Sequence, residues 1–190
     1  NDRILSYAAG YAGATDLAVQ ASAVYNTMNS DTEAYIDSNA SINPDFATAS
    51  TGQSVQIRAL HISNILAVAG TQASAETAAI GAAGDVESIK KVVKATIGQS
   101  ATVDAQNNVT VSALNQDLII SLVTGTAVAT GTLDIAGSVS IIAPDETTQA
   151  FISPNAHVTA IGNVSLAADS DVAIGTLDGV ATKGGTVAAG

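Results

Sequence analysis

Two short signatures recur along this chain at a nearly fixed interval. One runs Ala34-Tyr35-Ile36-Asp37-Ser38-Asn39-Ala40-Ser41-Ile42. It returns as Ala95-Thr96-Ile97-Gly98-Gln99-Ser100-Ala101-Thr102-Val103 and as Ala150-Phe151-Ile152-Ser153-Pro154-Asn155-Ala156-His157-Val158. The other runs Ser54-Val55-Gln56-Ile57-Arg58-Ala59 and returns at Asn108–Ala113 and Asn163–Ala168. The isoleucines Ile36, Ile97 and Ile152 are offset by 61 and then 55. The valines Val55, Val109 and Val164 are offset by 54 and then 55, and Gly70 and Gly125 by 55 again. A period of this length marks a solenoid or an array. The units fall at about 1–53, 54–107, 108–162 and 163–190, and the chain reads as one segment of a longer repetitive protein.

The period inside a unit is two. Val109, Val111 and Ala113 alternate with Thr110, Ser112 and Leu114. Alternation sends successive side chains to opposite faces, which is the pattern of a strand. The apolar runs are short, so strands of about 4–6 residues are expected. Apolar stations from Ile97 to Ile141 come every six to ten residues, which suits a winding chain. With about 20 residues to a coil, each unit would hold two or three coils and the stack would be on the order of 40–50 Å long. The expected fold is all-β, a right-handed parallel β-helix.

Composition agrees. The chain is 47% hydrophobic but only 3% aromatic, so its apolar mass is Ala, Val and Ile. Small and β-branched residues fill a narrow bore without large aromatics. An Ala-rich helical protein is the competing reading, and 16 Gly with many Thr, Val and Ser weigh against it. Residues 73–94 sharpen the conflict. Val86, Ile89 and Val93 have helical spacing, Asp85 could cap, and Glu87 could pair with Lys91. The unit alignment instead sets Gly84–Lys94 opposite Val139–Gln149 as strand plus turn, and the repeat decides for strand.

Asn26–Asp31 reads as a polar turn, and Asn43–Gly52 as a loop that absorbs the longer first interval. Gly125, Gly131 and Gly137 mark turns or close backbone approach. The run from Leu118 to Leu133 is too short and too Gly-interrupted for a membrane helix, so no membrane insertion is expected.

Chemistry-bearing motifs are few. Net charge is −11, and phosphate contacts need Lys and Arg, so nucleic acid is not an expected partner. Lys90, Lys91 and Lys94 form the basic cluster, read as a solvated turn. Zero Cys leaves no disulfide or thiolate site. His61 and His157 occupy different positions in the unit and are read as structural or surface residues. Asp169-Ser170-Asp171 with Asp178 lacks the Gly and Glu of a calcium loop and reads as a polar turn. Asp104, Asp117, Asp134, Asp145 and Glu146 look scattered through turns, without the register a paired-carboxylate glycosidase needs. No nucleophile elbow, phosphate loop or dinucleotide fingerprint is found. Catalytic, cofactor and metal sites are therefore expected to be absent. The sequons at Asn39, Asn108 and Asn163 are read as turn or ladder asparagines rather than glycosylation sites.

The sequence Ala-x-Ile-(x)3-Ala-x-Val, then Val-x-Val-x-Ala, then a Gly-punctuated Ala/Val/Thr stretch resembles the repeats of large bacterial filamentous-haemagglutinin-like and leukotoxin-like exoproteins over residues 32–190. That resemblance implies a secreted or cell-surface β-helix shaft with an adhesive or structural role, exported by a two-partner or autotransporter route. Its partners would be neighbouring repeats, end-to-end copies, or a host or neighbouring-cell surface. The alternatives are a polysaccharide-active β-helix enzyme and a self-assembling extracellular fibre subunit.

Overall fold

A computed structural model describes residues 1–190 except Phe46, Thr48, Gly185 and Thr186. All its regular elements are strands: β1 Asp2–Ala14, β2 Leu17–Ile36, β3 Ser41–Ile42, β4 Val55–Ala75, β5 Ala78–Ile97, β6 Thr102–Ala105, β7 Val109–Ala129, β8 Leu133–Ile152, β9 His157–Ala160, β10 Val164–Lys183 and β11 Val187–Ala189. They form three parallel sheets, ordered β1-β4-β7-β10, β11-β8-β5-β2 and β3-β6-β9. This is a parallel β-solenoid. Each full coil comprises two long strands and one short one.

The repeat is therefore one coil, not two or three. Val55 pairs with Val109 and Val109 with Val164, and the ladder runs one-to-one to Ala75↔Ala129. Ile36, Ile97 and Ile152 stack in the same way. The glycine correspondence is off by one, because Gly70 pairs with Thr124 and Gly125 with Thr71. A strand of 20 residues extends about 65 Å, and four stacked layers rise only about 15 Å. The molecule is a wide, shallow stack, in place of the expected tall column.

The strands are longer than expected because polar residues occupy inward positions. In β7 the buried face reads Val109, Val111, Ala113, Asn115, Asp117, Ile119, Ser121, Val123. Its parity never breaks; only its hydrophobicity does. The same cause corrects the expected turns. Asn26–Asp31 lies within β2, Lys90–Lys94 within β5, and Asp169–Asp171 with Asp178 within β10. Asp104, Asp117, Asp134, Asp145 and Glu146 are all strand residues. Gly84–Lys94 pairs throughout with Val139–Gln149, with neither helix nor turn.

The interior is a wedge. At the β4–β5 and β7–β8 turns the two long sheets meet over Ala73, Ala75, Ala79, Ala127, Ala129 and Ala136. A Cβ on Gly125 would lie within 3.0 Å of the Gly137 carbonyl across the core, and one on Gly81 equally close to the Thr126 carbonyl. Gly131 sits in the turn itself. Further along, an isoleucine ladder runs Ile4↔Ile65↔Ile119↔Ile174 through four coils. The broad end is filled by Ile57, Val93, Ile97, Val103, Val109 and Val111. Alanine alone fills the narrow end, and isoleucine and valine join alanine at the other, as close packing between converging sheets requires.

Between β3 and β4 the chain runs through 43–54, whereas 106–108 alone lead from β6 to β7. The loop expected at Asn43–Gly52 is there, although Phe46 and Thr48 within it lie outside the described residues. The turn after each second long strand places Asn39, Ser100 and Asn155 in left-handed geometry, at φ of 61°, 57° and 61°. Asn tolerates this region better than Ser. Ser100→Asn is expected to stabilise the fold by about 0.5–1 kcal/mol, measured as a higher urea midpoint with unchanged slope.

Candidate functional site

The concentration of chemistry lies inside the solenoid, in two polar layers separated by Met28, Ile65, Ile89 and Ile119.

The first layer joins five strands, β1, β2, β5, β7 and β8. Ser140 Oγ donates to Ser121 Oγ at 2.9 Å, and Ser121 Oγ donates to Asp85 Oδ2 at 2.5 Å. Asp85 and Glu87 point to the same face of β5 because they are two residues apart, and both are fully buried. On the far side Asn26 Nδ2 donates to Glu87 Oε1 at 2.6 Å, and Ser6 Oγ donates to Asn26 Oδ1 at 2.5 Å. Burial first, and the neighbouring Asp85 carboxylate after it, push Glu87 up to about 7.

The second layer is more polar. Lys91 of β5 donates from Nζ to Ser63 Oγ at 2.6 Å and to Asp117 Oδ1 of β7. Ser63 Oγ also donates to Asp117 Oδ1. Asn115 Nδ2 donates to Asp117 Oδ2 and Glu146 Oε2, each at 2.8 Å. Glu146 Oε1 lies 3.9 Å from Lys91 Nζ. Exposure of the Lys91 and Asp117 side chains is 1% and 0%. Burial and the hydrogen-bonded Asp117 carboxylate raise Glu146 to about 7. For Asp117, burial acts upward, but hydrogen bonds from Lys91, Ser63, Glu146 and Asn115 outweigh it and hold the carboxyl below its ordinary range. His61 borders this layer, with Nδ1 3.2 Å from Thr32 Oγ1 and Nε2 3.6 Å from Asp2 Oδ2. Burial, then the Lys91 charge, lower its pKa.

Sequence reasoning missed both layers. Lys91, expected on a solvated turn, is a buried cation, and Glu87 does not pair with it. The signal was parity: Lys91 falls in step with Ile89 and Val93, and Asp117 with Val111 and Ile119. His61 is interior, while His157 is exposed on β9. Among the described residues no group of three or more His, Cys, Asp or Glu is arranged to hold a metal ion. Among the same residues no helix is long and apolar enough to cross a membrane. Asn39 has the left-handed geometry, and Asn108 Oδ1 accepts from the Asn163 amide at 2.9 Å, so these asparagines serve a turn and a ladder between coils.

The outer surface carries the four tyrosines. Tyr7, Tyr11, Tyr25 and Tyr35 are all exposed on the first coil. An open concavity of about 400 Å³ lies at the turn after β2, β5 and β8, against Glu33, Tyr35, Lys94, Phe151 and Pro154. There Lys94 Nζ lies 3.8 Å from Glu33 Oε1 and 5.5 Å from the Phe151 ring centre.

The raised carboxyls give a pH dependence with a definite sign. Glu87 and Glu146 ionise near 4.5 when unfolded and near 7 when folded, so between those values the native state binds the extra protons. Their stabilising contribution is full below about pH 4.5 and is lost as pH rises through about 7, by on the order of 1–3 kcal/mol for each group. Glu87→Gln keeps the carbonyl that accepts from Asn26 and removes the ionisation. It is expected to flatten the fall and to stabilise at pH 8 by about 1–2 kcal/mol, read from urea midpoints at pH 5 and 8.

No protein-family description, curated protein or solved structure matches this chain.

Proposed function

We propose that this chain is a structural and adhesive shaft module of a secreted or cell-surface bacterial filamentous protein, exported by a two-partner or autotransporter route, and that it is not an enzyme. The observation that carries this reading is the propagation of one coil shape through every layer by in-register ladders. A segment of this kind adds length and display surface with each repeat. The resemblance of its repeats to filamentous-haemagglutinin-like exoproteins points the same way. The exposed tyrosines of the first coil and the concavity beside Tyr35 and Phe151 are the surfaces offered to a host or neighbouring cell.

Self-assembly into an extracellular fibre is a second reading, favoured by one strand. Leu166 and Ile174 of β10 lie in step with the buried Val111 and Ile119 yet are 46% and 48% exposed. A strand of that length takes a further coil in register, whether from the same chain or from another copy.

Negative-stain electron microscopy and a polysaccharide-cleavage assay on the purified chain test these readings together. Flat particles that stack into filaments, without release of reducing ends, are the expected result. Release of reducing ends that disappears on substituting exposed carboxylates would replace the shaft with a polysaccharide-active enzyme.

A further inference from the structure

We propose that Lys91 and Asp117 condense to an intramolecular isopeptide bond that staples β5 to β7 through the core, with Glu146 carrying the protons. Three features of the second polar layer support it.

The first is placement. Nucleophile and electrophile come from opposite sheets and meet in direct contact, each essentially removed from water. Holding reactants in this way replaces a bimolecular encounter by an intramolecular one, with effective molarities of about 10⁵ M or more. A dry site also shifts a condensation toward amide, because the released water has little tendency to return.

The second is proton inventory. The resting pair is an ammonium beside a carboxylate, and neither form reacts. Glu146 shares a hydrogen bond with Asp117 and has a second oxygen, Oε1, facing Nζ without a hydrogen-bond partner among the described residues. Burial, and the hydrogen-bonded Asp117 after it, raise it to about 7, so a large share of the chains carry its proton near neutrality. It can hand its proton to Asp117 and take one from Nζ, giving a neutral amine beside a carboxylic acid. Nζ then attacks Cγ. The Cγ–Nζ bond forms, one Cγ–O bond breaks, and the oxygen departs as water carrying the proton that Glu146 handed over and one from Nζ. Glu146 ends as it began, and no oxidant or reductant is needed.

The third is stabilisation of the intermediate. Negative charge develops on the Asp117 oxygen that is retained. Asn115 Nδ2 already donates to Oδ2 at 2.8 Å, while Ser63 and Lys91 contact Oδ1, the oxygen that leaves. A preset donor at the developing oxyanion is the arrangement that acyl-transfer sites use.

The bond would give a disulfide's benefit to a chain with no cysteine. It closes the segment 91–117 into a covalent loop across the sheets.

Intact mass of the purified chain tests this directly. The expected mass is the sequence mass less one water. Trypsin should then fail to cut after Lys91 and should leave residues 91–94 attached to the fragment that begins at Ala95. Lys91→Arg and Glu146→Gln should each return the full mass, with far-UV circular dichroism reporting whether the coil persists. A wild-type chain at full sequence mass after prolonged incubation at neutral pH would overturn the proposal, whatever the variants do. So would a water loss that maps to Asp178-Gly179, where an aspartyl–glycyl step can cyclise to a succinimide.

Discussion

Gly125→Ala is expected to destabilise the chain by about 2–4 kcal/mol, close to the whole stability of a marginal domain. The added methyl would sit within 3.0 Å of the Gly137 backbone carbonyl, on the opposite long sheet. A flexible side chain could turn away; a carbonyl in a parallel ladder cannot move without shifting its hydrogen-bonded neighbours. Gly137→Ala is the matched control. Its Cβ meets nothing within 4 Å, so a change within about 0.5 kcal/mol, or slight stabilisation through the unfolded state, is expected. Thermal or urea unfolding of the two variants side by side measures the difference. Equal effects would mean that the sheets do not converge at the alanine end.

Lys91→Met should cost about 3–5 kcal/mol, because it leaves the Asp117 carboxylate buried without its cation. Asn115 and Ser63 still donate to that carboxylate, but neither supplies a charge. The pair variant Lys91→Met/Asp117→Leu should recover most of the loss, since apolar residues of similar volume often replace a buried ion pair at little cost. The urea midpoint of single against double variant is the readout. A single variant as stable as wild type would place Lys91 in solvent. The loss in the single variant has the same sign with or without the isopeptide bond, since either way Asp117 is left uncovered; the recovery in the pair variant is expected of the chain without that bond, which the pair variant cannot form.

These two positions also mark where the sequence was legible and where it was not. The anchors Ile36, Ile97 and Ile152 stack as their spacing implies, because a core ladder demands the same residue type at each turn of the solenoid. The displaced loop after Ile42 was legible for the same reason: extra residues must leave the ladder. Coil length was not, because hydrophobicity is a poor measure of inwardness in this chain. Asn115, Asp117 and Ser121 point inward within one strand that also buries Val111 and Ile119. Each polar residue looks like the end of a strand. Their charges and hydroxyls are satisfied mainly by residues far away in sequence: Asp117 meets Lys91 of β5 and Glu146 of β8. Only the fold brings them together. Parity carried the information throughout; Lys91 is in step with Ile89 and Val93, and parity alone places it in the core.

One coil per sequence repeat is the claim on which the rest depends, and engineered disulfides test it most directly. The chain has no cysteine of its own, so each introduced pair reports alone. Arg58 and Ser112 face outward on adjacent strands in direct register. Arg58→Cys/Ser112→Cys should form an intramolecular bridge under mild oxidation, since neighbouring strands bring Cα atoms to about 4.8 Å, within bridging range. Arg58→Cys/Ala113→Cys should stay reduced, because a one-residue step turns the second thiol to the other face. Arg58→Cys/Ala78→Cys, spaced as a short coil would require, should also stay reduced. Bridging of that last pair, or none by the first, would contradict the one-coil repeat.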